Sequence, residues 1–232
     1  MSRLIAMSDR YRLVRESSTA EDFHNRQVVE PVEPEIWWHE VTRSAVVLGS
    51  TQSRDHIDDE VCRDRGVDVV RRRSGGGAVL LVPGQVTWID VILPAGAPGW
   101  ATDVHGPMVW LGRILRDVLK DQLLNDHVPA QRHSVHEGKM IETPWSSLVC
   151  FDGIGAGEVL LDGEKLIGIS QRRTRSAARL QCCWYSSYDP GELASMLDPQ
   201  ARPPLAELRP VATIARSVAD AIPEALLDRL NA

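Results

Sequence analysis

The stretch VVRRRSGGGAVLLVPGQVTWIDV, residues 69–91, sets three arginines and a glycine triplet between runs rich in β-branched residues, and its reading decides the fold. VDVVRRR is strand-like to about Arg73, and residues 78–82 and 85–93 are two more strands, with Pro83-Gly84 between them as a hairpin turn. The period of two in QVTWIDVILP puts Val86, Trp88, Asp90 and Ile92 on one face and Thr87, Ile89, Val91 and Leu93 on the other. Three successive glycines strip every Cβ from the intervening turn, so that backbone N–H groups can converge on a phosphate or carboxylate. The preceding arginines supply fixed donors for the same anion. On a strand Arg71 and Arg73 share a face and Arg72 takes the other, so one or two of the three would serve one ligand. No Lys-Ser/Thr pair follows the glycines and no helix opens there, which excludes a P-loop and a dinucleotide fingerprint. Anion binding and a glycine bulge beside solvated arginines both fit the pattern.

Upstream, Ser18 and Glu21 form a capping-box pattern for a helix to about Val29, stopped by Pro31. Residues 35–49 give two short strands around a turn at Thr42 to Ser44, and Asp55 is placed to cap a short helix to about Arg65. Downstream, Met108, Leu111, Leu115, Val118 and Leu119 follow the helical period from Pro107 to Leu124 and form a core stripe. Strands are expected at 147–152, 157–162 and 180–188, with Asp162-Gly163 as the hairpin turn into KLIGISQRR. Prolines 190, 199, 203, 204 and 210 punctuate an irregular stretch, and helix-compatible segments lie beyond it at 211–221 and 224–231. Seven or eight strands with three to five helices, many joined too closely for crossovers, indicate an α/β (α+β) fold with a mixed, largely antiparallel sheet flanked by helices. The division expected is a catalytic domain over 1–190 and a helical extension over 191–232.

The 232 residues are 43% hydrophobic and carry a net charge of -6, which gives no global attraction for nucleic acid while allowing local basic sites at Arg71–Arg73 and at Arg172, Arg173 and Arg175. No 18-residue apolar run occurs, and MSRLIAMSDRYRLV lacks a secretory apolar region, so no membrane association and a cytoplasmic location are expected. Cys62, Cys150, Cys182 and Cys183 have neither disulfide-framework nor zinc-site spacing, and Cys182 and Cys183 would face opposite sides of a strand. Cys150 is either a small buried hydrophobe or a nucleophile, the second requiring a cation brought close by the fold. Lys165, just past the hairpin turn, is either solvent-facing or aimed at a site near Gly76.

Taken together, these stretches resemble the lipoate-protein ligase family, within the biotin/lipoate ligase and octanoyltransferase superfamily. Arg71, Arg72, Gly75, Gly76, Gly77 and Val79 meet its R-R-x-x-G-G-G-x-V pattern; Gly163, Lys165 and Gly168 meet G-x-K-x-x-G; AVVLGSTQS, residues 45–53, resembles its G-x-x-Q turn. The resemblance, over about residues 15–190, implies the sheet architecture of biotin/lipoate ligase catalytic domains. It also implies a pocket in which Lys165 holds an acyl carbonyl and adjacent phosphate oxygens, with Arg72 and Gly75 to Gly77 contacting adenylate or acyl carbonyl. The ligase reaction so implied activates lipoate or octanoate with ATP and Mg2+ and passes the acyl group to a lysine of a lipoyl domain, as in 2-oxoacid dehydrogenases or the glycine cleavage protein. Arg172 to Arg175 would guide that docking or form a solvated face.

Departures accompany the resemblance. Leu81 and Val82 stand where many members carry His-Asp, VPGQV resembles the P-G-Q of related octanoyltransferases, and the residues after Pro190 are too few for an accessory domain, which a separate polypeptide could supply. The alternative implied is an ATP-independent octanoyltransferase, because Cys150-Phe151 precedes Lys165 as a C-F pair precedes G-x-K in its cysteine-dependent subgroup. There the Cys150 thiolate attacks the thioester of an octanoyl carrier protein. A non-catalytic protein binding lipoyl-adenylate or lipoyl domains is the third reading.

Overall fold

The computed structural model describes residues 10–125 and 132–232, so most of the amino-terminal segment MSRLIAMSDRYRLV lies outside the described residues. Ten strands and five α-helices occur among the described residues: β1 (Arg12–Glu16), α1 (Ala20–Asn25), β2 (Glu35–His39), β3 (Ala45–Leu48), α2 (Asp59–Asp64), β4 (Asp68–Arg71), β5 (Val79–Leu81), β6 (Val86–Pro94), α3 (His105–Asn125), β7 (His133–Val135), β8 (Val159–Leu161), β9 (Glu164–Arg173), β10 (Ala177–Tyr185), α4 (Pro190–Ala194) and α5 (Arg216–Leu230). Seven strands make one sheet in the order β1-β2-β6-β10-β9-β8-β7, and β4-β3-β5 make a second. Only the β1–β2 and β3–β4 pairs are parallel, so the expected mixed, largely antiparallel α/β architecture is present.

The large sheet is covered on both faces, which is why β6 and β10 are buried at every position. Ile89, Val91 and Leu93 pack with Leu111, Leu115 and Leu119 of α3 and Val218, Ile222 and Leu226 of α5. Val86, Trp88 and Ile92 face Val47, Val79 and Leu81 of the small sheet. The alternation read in 86–93 therefore holds, and Cys182 and Cys183 do lie in opposite cores. Removing a leucine side chain from such a layer costs about 2–5 kcal/mol.

Several local expectations are corrected by tertiary contacts. Pro83-Gly84 does not join a hairpin, because β5 and β6 enter different sheets; the two strands expected around the turn at 42–44 are present as β2 and β3, and they too enter different sheets. The chain changes layer at these turns, and the small sheet thereby stacks on the large one. Helix α1 starts from Thr19, not Ser18, and stops at Asn25 instead of Val29. Arg179 sets its end by donating to the carbonyls of Phe23 and Arg26, which satisfies orphan helix acceptors. Asp58, not Asp55, caps α2. Residues 211–215, expected to be helix-compatible, are not helical; 216–221 and 224–230 form the single helix α5 across Pro223, and this C-terminal segment belongs to the main core. β7 went unread because three residues carry no detectable period.

Residues 147–152 are not a strand. Val149 makes one parallel bridge to Ala78, and Cys150–Asp152 then tighten into a 3-10 turn. That change of path lifts Cys150 out of the sheet and leaves it half-buried while Phe151 and Asp152 stay inside.

Candidate active site

Gly77 and Ala78 lie directly beside the cysteine segment. Ala78 N donates to the Leu148 carbonyl at 2.7 Å and Cys150 N to the Ala78 carbonyl at 3.0 Å. A Cβ on Gly77 would sit 2.7 Å from Cys150 N, so only glycine permits this approach. Gly76 has φ 100° and would carry its Cβ 3.5 Å from Cys150 Sγ. The G-x-x-Q turn locks the same junction: a Cβ on Gly49 would be 1.8 Å from the Gly76 carbonyl oxygen. Gln52 accepts from Gly49 N and donates to the Leu148 carbonyl, both at 3.0 Å.

Arg72 is almost fully buried and acts as the inner anchor of the loop. Its guanidinium donates to the carbonyls of Val47 (3.1 Å), Gly75 (2.8 Å) and Gly77 (2.9 Å) and to Ser74 Oγ (3.1 Å), with Nη2 3.8 Å from Cys150 Sγ. Because C=O and N–H of one trans peptide point oppositely, holding the Gly75 carbonyl turns the Gly76 N–H away from Arg72. The amides of Gly75, Gly76 and Gly77 have no acceptor among the described residues. Ser74 continues inward to Gln181 at 2.6 Å, and Gln181 to Asp90, which pairs with Arg179. Arg71 instead holds the 49–52 turn through its carbonyls, and Arg73 bonds Gln27 on the exposed side.

Lys165 is 2% exposed, which removes the solvent-facing reading. Asp162 and Gly163 both have positive φ (53° and 86°), as the two-residue hairpin requires, and the turn aims Lys165 inward. Nζ contacts Glu158 at 2.8 Å and donates to the Cys150 carbonyl at 2.8 Å. The second Glu158 oxygen lies 3.0 Å from Nζ, so the ammonium is held by both carboxylate oxygens and the Cys150 carbonyl while still bordering the cavity. Glu158 was missed in the sequence; its only signal is an acid directly before the apolar run of β8, the strand paired with the Lys165 strand. Burial pushes the Glu158 carboxyl above the ordinary range, opposed by the charge of Lys165 and by the Gly155 and Ile169 amides. Gly168 keeps the floor open for the Phe151 ring, 3.3 Å from where its Cβ would be.

Gly75, Gly76, Gly77, Cys150, Glu158 and Lys165 therefore border one cavity of about 400 Å3, whose other walls include Val104, Met108, Met140 and Ile169. The predicted catalytic pair and the glycine loop are together; Arg71 and Gly168 shape the surroundings. Among the described residues Glu158 is the only carboxylate on that wall and is committed to Lys165, so no free carboxylate there is available to the Mg2+ expected with a nucleotide. No group of three or more His, Cys, Asp or Glu able to hold a metal occurs among the described residues. The site thus offers a thiol, a buried ammonium and unpaired amides against an apolar chamber. Cys62, Cys182 and Cys183 are buried, and burial pushes their thiols up. No helix among the described residues is long and apolar enough to cross a membrane.

Known proteins resemble this chain in sequence and in fold. Octanoyltransferase LipM of Kyrpidia tusciae is 29% identical over 178 residues, covering 75% of this chain and 61% of that protein. LipM of Staphylococcus epidermidis is 27% identical over 154 residues, covering 66% and 54%. The chain thus spans about half the length of the curated relatives it matches. Among solved structures, a lipoate-protein ligase A bound with ATP superposes with TM-score 0.61 at 15% identity, over 95% of this chain and 85% of that one. The bi-partite lipoate protein ligase from Thermoplasma acidophilum, studied with its E2 lipoyl domain, gives 0.60 at 16%, over 96% and 82%. These two show a shared fold. A model of the lipoyl protein ligase A/B catalytic domain matches residues 15–228, a span that takes in both sheets and the cavity between the glycine loop and Lys165. The chain belongs to the lipoyl protein ligase A/B catalytic domain family.

Proposed function

We propose that this protein transfers an octanoyl or lipoyl group, through a thioester on Cys150, to a lysine of a lipoyl domain. One observation carries the reading: half-buried Cys150 borders the acyl cavity with Arg72 Nη2 3.8 Å from its Sγ and with the Lys165 ammonium bonded to its own backbone carbonyl at 2.8 Å. A thiol that reaches the cavity beside groups able to bind the acyl oxygen is placed to form a thioester. The names of the relatives support the same route, whereas the ATP-dependent ligation implied first by the resemblance rests on a likeness of fold.

In the first step Cys150 Sγ attacks the thioester carbonyl of an octanoyl carrier protein. A new C–S bond forms, the donor's C–S bond breaks, and the donor leaves as a thiol with the proton from Cys150. The oxyanion faces the Lys165 ammonium and the glycine-loop amides across the cavity, while Met108 and Ile169 line the acyl chain's chamber. In the second step the acceptor amine attacks; the amide C–N bond forms, the C–S bond to Cys150 breaks, and a proton from the amine restores the thiol. Lipoate and octanoate differ by too little for an apolar chamber to separate them strongly. Cys150→Ala tests the reading: loss of octanoyl transfer from the carrier protein supports it, and full retention contradicts it.

A further inference from the structure

Beside the acyl cavity lies a second cleft of about 930 Å3, walled by Arg54, Arg71, Arg72, Arg73, Arg172 and Arg173, with Glu21 as its one acidic side chain. Such a surplus is notable on a chain of net charge -6. Among the described residues Arg54 alone of the six is in an ion pair, with Asp59. Arg71 and Arg72 spend donors on backbone carbonyls, which neutralise nothing. Burial and the charges of Arg73 and Arg179 make the Arg172 guanidinium a weaker base than usual. Gathered like charges of this kind concentrate an anion.

Two further observations say what else the ligand carries. Gln171 lines both the arginine cleft and the acyl cavity, and its side-chain nitrogen and oxygen are both buried without a partner among the described residues. A buried amide left so calls for a ligand that both donates and accepts, as another amide does. Arg72 spans the same boundary, since it lines the cleft while Nη2 lies 3.8 Å from Cys150 Sγ. A ligand that fits therefore has an acyl thioester at Cys150, amide groups beside Gln171 and a phosphate among the arginines.

We propose that the arginine cleft binds the phosphate of a pantetheine-type arm whose amides pair with Gln171 and whose thioester is delivered to Cys150. This rests on the acyl-transfer reading above and adds to it the subsite for the leaving group. The arm's sulfur departs as a thiol once the acyl carbon has moved to Cys150. A protein-borne phosphopantetheine and free coenzyme A present the same chemistry to the cleft.

The test compares initial rates of Cys150 acylation by octanoyl carrier protein, by octanoyl-coenzyme A, and by the N-acetylcysteamine thioester, which keeps one amide and has no phosphate. In Arg172→Gln and in Arg73→Gln, kcat/KM for both phosphate-bearing donors relative to the truncated donor is expected to fall at least tenfold, through KM; the donor with the higher kcat/KM on the wild type identifies the source. An unchanged ratio overturns the proposal. A fall confined to the carrier protein also overturns it, because the arginines would then dock protein and not phosphate. If no donor acylates the wild type, the acyl-transfer reading fails separately, and calorimetry of coenzyme A binding decides the subsite. Binding weakened at least tenfold by Arg172→Gln supports it; no binding, or binding unaffected by that change, rejects it.

Discussion

The Lys165 ammonium and the Cys150 carbonyl are hydrogen-bonded at 2.8 Å, which ties the G-x-K hairpin to the nucleophile's own backbone. Lys165→Met removes this bond and a donor for the acyl oxygen, and it strands the Glu158 carboxylate, so two separable losses are expected. Acyl transfer should fall by about 10²–10³. Stability should fall by about 3–5 kcal/mol, as when one partner of a buried pair is removed. The double variant Lys165→Met/Glu158→Leu should regain stability in urea melts and none of the activity. Recovery of both would make Lys165 purely structural.

The glycine triplet gives a position-by-position expectation. A Cβ on Gly75 meets nothing within 4 Å, whereas one on Gly77 would lie 2.7 Å from Cys150 N and 2.8 Å from the backbone carbons of Leu148 and Val149. Gly75→Ala should keep acylation within about threefold, and Gly77→Ala should lower it at least about tenfold by pushing the cysteine segment away. Equal effects would show that the loop is not held as described.

Alkylation reports the thiols directly. Cys150 is half-buried and the other three cysteines are buried. Iodoacetamide on the native protein should therefore label Cys150 first, as read by peptide mass, with the others reacting only on unfolding. Earlier labelling of Cys62 would contradict the exposure described.

Stability should decline in mild acid. Burial, and then the charge of Arg179, hold His24 well below its ordinary value of 6.5, and burial lowers His39. The unfolded chain takes up these protons near pH 6.5 while the fold does not, so the stabilisation is present above that pH and is lost as pH falls from there towards the folded-state values. Urea midpoints measured from pH 7.5 to 5 should decrease, and His24→Gln should flatten the slope. An unchanged slope in that variant would assign the acid sensitivity elsewhere.

The sequence was most legible where one local rule governs. The α3 stripe, the two faces of β6 and the Asp162-Gly163 turn follow from periodicity and positive φ, and all three occur. It was misleading at Pro83-Gly84, because a turn signal does not say whether its flanking strands pair or change sheets. Cys150 looked like a strand residue because its apolar neighbours carry no mark of the 3-10 turn that exposes it. Arg72 reads as a ligand contact; the fold also makes it an anchor, donating to the carbonyls of Val47, Gly75 and Gly77, which no sequence rule shows. Glu158 and Gln181 could not be read at all, since each matters only through partners the fold brings to it.

The most direct measurement is the intact mass of the protein after incubation with octanoyl carrier protein, followed by addition of a lipoyl domain. One octanoyl group is expected on the wild type, mapped to Cys150, discharged to the acceptor lysine, and missing from Cys150→Ala. Pyrophosphate release from lipoate and Mg-ATP, with no adduct and with Cys150→Ala fully active, would contradict it.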